Sequence, residues 1–116
     1  MLKMRFKTGQ VSWPERRMSI DPPYHDVASF IYSESGAVAG TTRTIEQLRA
    51  VIDGKHPPIE CETGNSWTMD VDSEWTTLTN DYGTERRRVR LPTAWLLDAL
   101  ELWRAHLLAA GADPDV

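Results

Sequence analysis

Asp70 and Asp72 are the two residues best spaced for chemistry. On an extended backbone alternate side chains share a face, so the two carboxylates would project together, as a pair of magnesium ligands does. Trp67, Met69 and Val71 alternate with Thr68, Asp70 and Asp72, however, which is the pattern of a strand with one buried and one solvated face. The solvated-face reading is preferred, and no metal site is expected. His25, His56 and His106 fall on three different segments, with no pair at the spacing that holds a zinc ion between helical turns. Cys61 is the only cysteine; it alternates with Ile59 and reads as a small buried hydrophobe rather than a nucleophile. No phosphate-cradling glycine loop, nucleophile elbow, Walker pattern or zinc-protease helix occurs. The expectation is a non-enzyme with no catalytic residue and no cofactor.

Charge distribution says more. From Ile59 through Glu85 the chain carries Glu60, Glu62, Asp70, Asp72, Glu74, Asp81 and Glu85 and no lysine or arginine. Arg86, Arg87, Arg88 and Arg90 follow at once. One reading has the arginine strand neutralising its acidic neighbours through cross-strand pairs. The other leaves a negative sheet face free to meet a basic partner. Nucleic-acid binding by the arginine row is disfavoured by the adjoining acids, the net charge of −4 and the pI near 5.3. Tryptophan serves both as core filler and as interface anchor, so the five here divide: Trp67 and Trp103 read as core, while Trp13, Trp75 and Trp95 stay open between the two roles.

The elements that would position these residues follow from periodicity. An extended arm, 1–21, holds a short strand signal at Met4 to Lys7. Asp21 before Pro22-Pro23 resembles a helix entry, predicting a helix from Pro23 to Ser33 with Tyr24, Val27, Phe30 and Ile31 on its apolar face. After a small-residue linker, Ala37 to Gly40, Thr42 or Thr44 would cap a second helix carrying Ile45, Leu48, Val51 and Ile52, closed by Gly54. From Pro57 the period becomes two: a strand through Ile59 and Cys61, then after Gly64-Asn65 one from Trp67 to Asp72, a third from Trp75 to Asn80, and after Asp81-Tyr82-Gly83 a fourth from Glu85 to Leu91, the four forming an antiparallel meander. Pro92 or Thr93 opens a last helix with Leu96, Leu100, Trp103 and Leu107 in one stripe, ending at Ala110-Gly111 before a short frayed tail, 112–116. The expected fold class is α+β: two N-terminal helices, a four-stranded antiparallel meander, and a C-terminal helix packed on one sheet face.

At 116 residues, with 41% apolar and 26% charged content, one core and one domain are expected. A lone cysteine excludes an internal disulfide and fits a reducing compartment. No apolar run is long enough to span a bilayer, so a cytoplasmic location without membrane insertion is expected.

Gly64-Asn65-Ser66-Trp67-Thr68, then Trp75-Thr76-Thr77-Leu78-Thr79-Asn80, then Leu91-Pro92-Thr93-Ala94-Trp95-Leu96-Leu97 with Leu102-Trp103, resemble small immunity proteins of bacterial toxin systems, including contact-dependent and other polymorphic toxins. The similarity covers the C-terminal half and the Pro22-Pro23-Tyr24 helix entry. It implies a cytoplasmic inhibitor that binds a cognate toxin domain, often a nuclease, and it assigns no catalytic residue. An acidic sheet face suits a basic nuclease cleft. The expected partner-binding residues are Glu62, Asp70, Asp72 and Glu74 for charge, with Trp75 or Tyr82 as aromatic anchor. The competing expectations are a self-associating structural or regulatory domain and a small enzyme with an unrecognised site.

Overall fold

The computed structural model describes residues 4–6, 18–81 and 86–116. Trp13, Tyr82 and Glu85 therefore lie outside the described residues, as does most of the N-terminal arm. Along the chain come β1 (Met4–Phe6), β2 (Met18–Ile20), α1 (Asp26–Glu34), α2 (Val38–Ile52), β3 (Ile59–Thr63), β4 (Thr68–Val71), β5 (Trp75–Asn80), β6 (Arg87–Pro92) and α3 (Thr93–Ala109). The expected α+β architecture is present: β3-β4-β5-β6 form an antiparallel meander in chain order, and α3 packs on β5 and β6.

β1 and β2 pair antiparallel as a separate ribbon. Met18 and Ile20 are buried, and the Tyr32 hydroxyl accepts from the Met18 N–H and donates to its carbonyl, both at 2.6 Å, fixing β2 to α1.

Both N-terminal helices begin elsewhere than predicted. Tyr24 N–H donates to the Asp21 carbonyl at 3.2 Å and Val27 N–H to that of Tyr24 at 3.0 Å. This turn occupies the residues after the prolines and delays α1 to Asp26, with His25 rather than Asp21 at the N-cap. The Ala37 to Gly40 stretch is not a linker, since α2 starts at Val38. Val38 and Thr41 are buried and extend the stripe of Ile45, Leu48 and Val51 one turn backwards. Thr41 Oγ1 bonds the Ser35 and Ala37 carbonyls, at 2.9 and 2.7 Å, and Thr44 Oγ1 the Gly40 carbonyl at 3.2 Å. These helical threonines therefore bond backwards along the chain instead of capping.

The core lies between the helices and one sheet face. Trp67, Met69 and Val71 of β4 and its approach, Leu78 of β5 and Leu91 of β6 are buried against Phe30, Ile31, Leu96, Leu100 and Trp103. Trp67 and Trp103 are core, as expected. Trp103 Nε1–H donates to the Ser35 carbonyl at 2.8 Å, the same carbonyl that accepts from Thr41, so α3 is fastened to the α1–α2 connection. Trp67 packs edge-on to Phe30. Its own Nε1–H is buried without an acceptor among the described residues, a cost that the large apolar burial of the ring outweighs. Trp95 is half-buried edge-on to Tyr24 at the margin of the core.

The tail expected to fray is hydrogen-bonded: Ala112 N–H donates to the Leu107 carbonyl, and the Val116 carbonyl accepts from Ala39 N–H, each at 3.0 Å. It thereby supplies an acceptor to the first turn of α2, whose N-cap Ala37 has no side chain to offer.

Candidate functional site

β-register assigns each charged residue to a face. Opposed residues share a face, so the pairs Met69↔Leu78, Leu78↔Val89 and Thr76↔Leu91 define the helix-covered side. The outer side carries Thr68↔Thr79↔Arg88 in one rung and Asp70↔Thr77↔Arg90 in the next. With Glu60 of β3 beside Asp70, it is a threonine-centred face with two carboxylates and two guanidinium groups, of mixed charge and not the uniformly negative face expected.

The cross-strand neutralisation reading holds only in part: Arg86 meets Asp81, one rung beyond Asn80↔Arg87. β6 borders β5, whose outward residues are Thr77 and Thr79, and its backbone stands about 9.5 Å from that of β4. Arg86 bonds Asp81 of the acidic run at 3.0 Å, whereas Arg87 pairs away from the sheet, with Asp26 of α1 at 3.8 Å. Arg88 makes no ion pair among the described residues.

A β-bulge separates Glu62 from the other acids. The register between β3 and β4 shifts from Ile59↔Val71 to Glu62↔Met69, leaving two residues, Glu60 and Cys61, against Asp70. Cys61 adopts a positive φ of 52°, and its N–H donates to Asp70 Oδ1 at 3.0 Å. The extra residue inverts the alternation, so Cys61 is exposed rather than buried, and Glu62 turns to the helix side, where Gln47 Nε2 of α2 donates to it at 3.3 Å.

The remaining acids meet at the β4–β5 turn. Asp72 caps it, with Oδ1 accepting from Glu74 N–H at 2.8 Å and Trp75 N–H at 2.7 Å, while Asp72 N–H donates to the Trp75 carbonyl at 2.9 Å. These bonds, Trp75 N–H first and Glu74 N–H next, hold the Asp72 carboxyl below its ordinary range, and Arg90 adds to the effect. The first residue of α3 locks the turn from beneath: Thr93 N–H donates to the Glu74 carbonyl and Thr93 Oγ1 to that of Asp72, each at 2.9 Å, and Thr76 Oγ1 meets Thr93 Oγ1 at 2.8 Å.

On this fixed turn Trp75 is 37% exposed. The Arg90 guanidinium lies over its ring, 4.2 Å from the centroid, a diagonal neighbour on the same outer face. Asp70, Asp72, Glu74 and Trp75 are therefore brought together, Glu62 is not, and Tyr82 lies outside the described residues. Sequence reasoning missed Arg90 and Thr93 as supports. Arg90 needs the β5–β6 register to be recognised, whereas a threonine directly after a strand-ending proline is a local signal that was available.

Among the described residues no group of three or more His, Cys, Asp or Glu side chains is placed to hold a metal ion, and no helix is long and apolar enough to cross a membrane. Compared with protein-family models, curated proteins and solved structures, the chain matches none.

Proposed function

We propose that this protein is a binding protein rather than an enzyme: a cytoplasmic inhibitor of the immunity type that docks a basic toxin domain, a nuclease by preference, at the β4–β5 turn. The observation that carries the reading is Trp75, an exposed aromatic side chain held by a stacked arginine and a doubly capped turn, with carboxylates around it. Interface hot spots favour Trp and Arg, and an anchor already rigid in the free protein loses little entropy on binding. Glu74 is exposed and its carboxylate makes no bond among the described residues, so it supplies charge, while Asp70 and Asp72 mainly shape the site. A nuclease cleft, basic because it binds phosphates, would meet this rim with salt-sensitive association.

The test is a pull-down from the source cell with the tagged chain, washed at low and high salt, followed by assay of whatever toxin domain is captured. The expected result is one basic toxin domain, released by high salt and inactive when bound, with Trp75→Ala weakening binding at least about tenfold. Recovery of no toxin domain from cells expressing the neighbouring genes, or a captured domain still active in the complex, would sink the reading.

A further inference from the structure

The bulge that removes Glu62 from the outer face places it on a second concave surface, a cleft of about 300 Å³ between α2 and the β3–β4 hairpin. That volume is at the lower end of the roughly 300–1,000 Å³ usual for small-molecule sites. Its floor is apolar, made by Phe30, Trp67 and Met69. Three charged side chains line it, and they are not equivalent. Glu34 is already engaged, its two oxygens accepting from the N–H groups of Asn65 and Ser66, at 2.5 and 3.1 Å, and from Ser33 Oγ at 2.8 Å. Arg43, on α2, has no ion pair among the described residues. Glu62, on the hairpin, accepts only from Gln47, and its second oxygen has no bond there.

Two glycines also line the cleft, for different reasons. A Cβ on Gly64 would lie 1.9 Å from Glu34 Oε1, so any larger residue there must displace the turn-capping carboxylate. A Cβ on Gly40 would approach only the tip of Arg43, at 3.8 Å. Packing therefore does not demand glycine in this helical position, where alanine is the better helix former. A methyl group there would project beside the Arg43 tip at the cleft wall.

From these features we infer that the cleft binds a free α-amino acid with a large apolar side chain, independently of the inhibitor reading. The side chain rests on the Phe30 and Met69 floor, Arg43 takes the carboxylate and Glu62 the ammonium group. The opposed charges act as a filter. An anion without an amine leaves Glu62 unpaired and repelling it, and an amine without a carboxylate meets the same penalty at Arg43.

The test uses the full chain labelled with ¹⁵N and titrated with L-phenylalanine, L-leucine and L-methionine, then with phenylacetate and phenethylamine, which each lack one charge. The expected result is saturable shifts of the Gly40, Arg43, Gly64 and Asn65 amide signals with at least one amino acid, and affinities at least about tenfold weaker for phenylacetate and phenethylamine than for phenylalanine. Arg43→Gln and Glu62→Gln each lower amino-acid affinity at least about tenfold, Gly40→Ala lowers it while the domain stays folded, and Asp98→Asn at an exposed position of α3 changes nothing. Absence of saturable shifts with all three amino acids up to about 10 mM would overturn the inference. So would equal binding of phenylacetate and phenylalanine, or full affinity in Arg43→Gln.

Discussion

Thr93→Val tests whether the start of α3 holds the β4–β5 turn. The substitution keeps the β-branched frame of a fully buried side chain and exchanges its hydroxyl for a methyl group. In the native chain the Thr76 hydroxyl donates to Thr93 and Thr93 donates to the Asp72 carbonyl, because Thr93 has one proton and that carbonyl can only accept. Valine breaks both bonds and orphans the Thr76 hydroxyl, itself fully buried. Two net hydrogen bonds at about 0.5–1.5 kcal/mol, with the surcharge for a buried orphan, give a loss of roughly 2–3 kcal/mol. For a domain of this size that lowers Tm by about 10 °C.

Thr76→Val alone costs roughly 1 kcal/mol, because Thr93 still donates to Asp72. The double variant removes the orphan and should cost less than the two single losses combined, by about 1 kcal/mol. Urea unfolding at unchanged m-value is the assay, run on all four corners of the cycle. A Thr93→Val loss below about 0.5 kcal/mol, or strict additivity in the double variant, would show that the chain of hydroxyls does not carry the turn.

Gly64→Ala must displace the Glu34 carboxylate from the amides it caps, and should destabilise by about 2–3 kcal/mol in the same urea assay, whereas Gly40→Ala is neutral or stabilising by up to roughly 1 kcal/mol. The folded-state pKa of Asp72 is depressed, so its contribution to stability is present above the unfolded value near 4 and is lost as pH falls through the lower folded value. Stability measured from pH 6 down to pH 2 should therefore fall less steeply at the acid end in Asp72→Asn than in the wild type. Cys61 should react with a thiol reagent in the folded protein without waiting for unfolding, and labelling that waits on unfolding would refute its exposed place in the bulge.

Much of this fold is legible in residue spacing, because burial dictates it. Leu96, Leu100, Trp103 and Leu107 recur at helical intervals and are all buried, and Trp67, Met69 and Val71 alternate and are buried too. Where spacing misled, side-chain hydrogen bonding decided the outcome. Spacing predicts Thr42 or Thr44 as the cap of α2, but the helix starts at Val38 and Thr44 bonds back to the Gly40 carbonyl within it. The partnership of Arg90 with Trp75 depends on two strands being in a particular register, which no local pattern contains.

The bulge shows how much can hang on one residue. With a continuous ladder from Ile59↔Val71, Glu60 would oppose Asp70, Cys61 would oppose Met69 in the core, and Glu62 would stand on the outer face with Thr68, as simple alternation predicts. One added residue, stabilised by Asp70 accepting the Cys61 N–H, exposes the cysteine and sends Glu62 through the sheet to the opposite side. The acidic run of the sequence is thereby divided between two surfaces, one around Trp75 and one opposite Arg43. On the two proposals the surfaces are separable by mutation: in the titration and pull-down assays Glu62→Gln should weaken amino-acid binding and leave toxin capture intact, and Glu74→Gln should do the reverse. Asp70 is the exception, since losing its bond to Cys61 frees β3 to shift register and would disturb both.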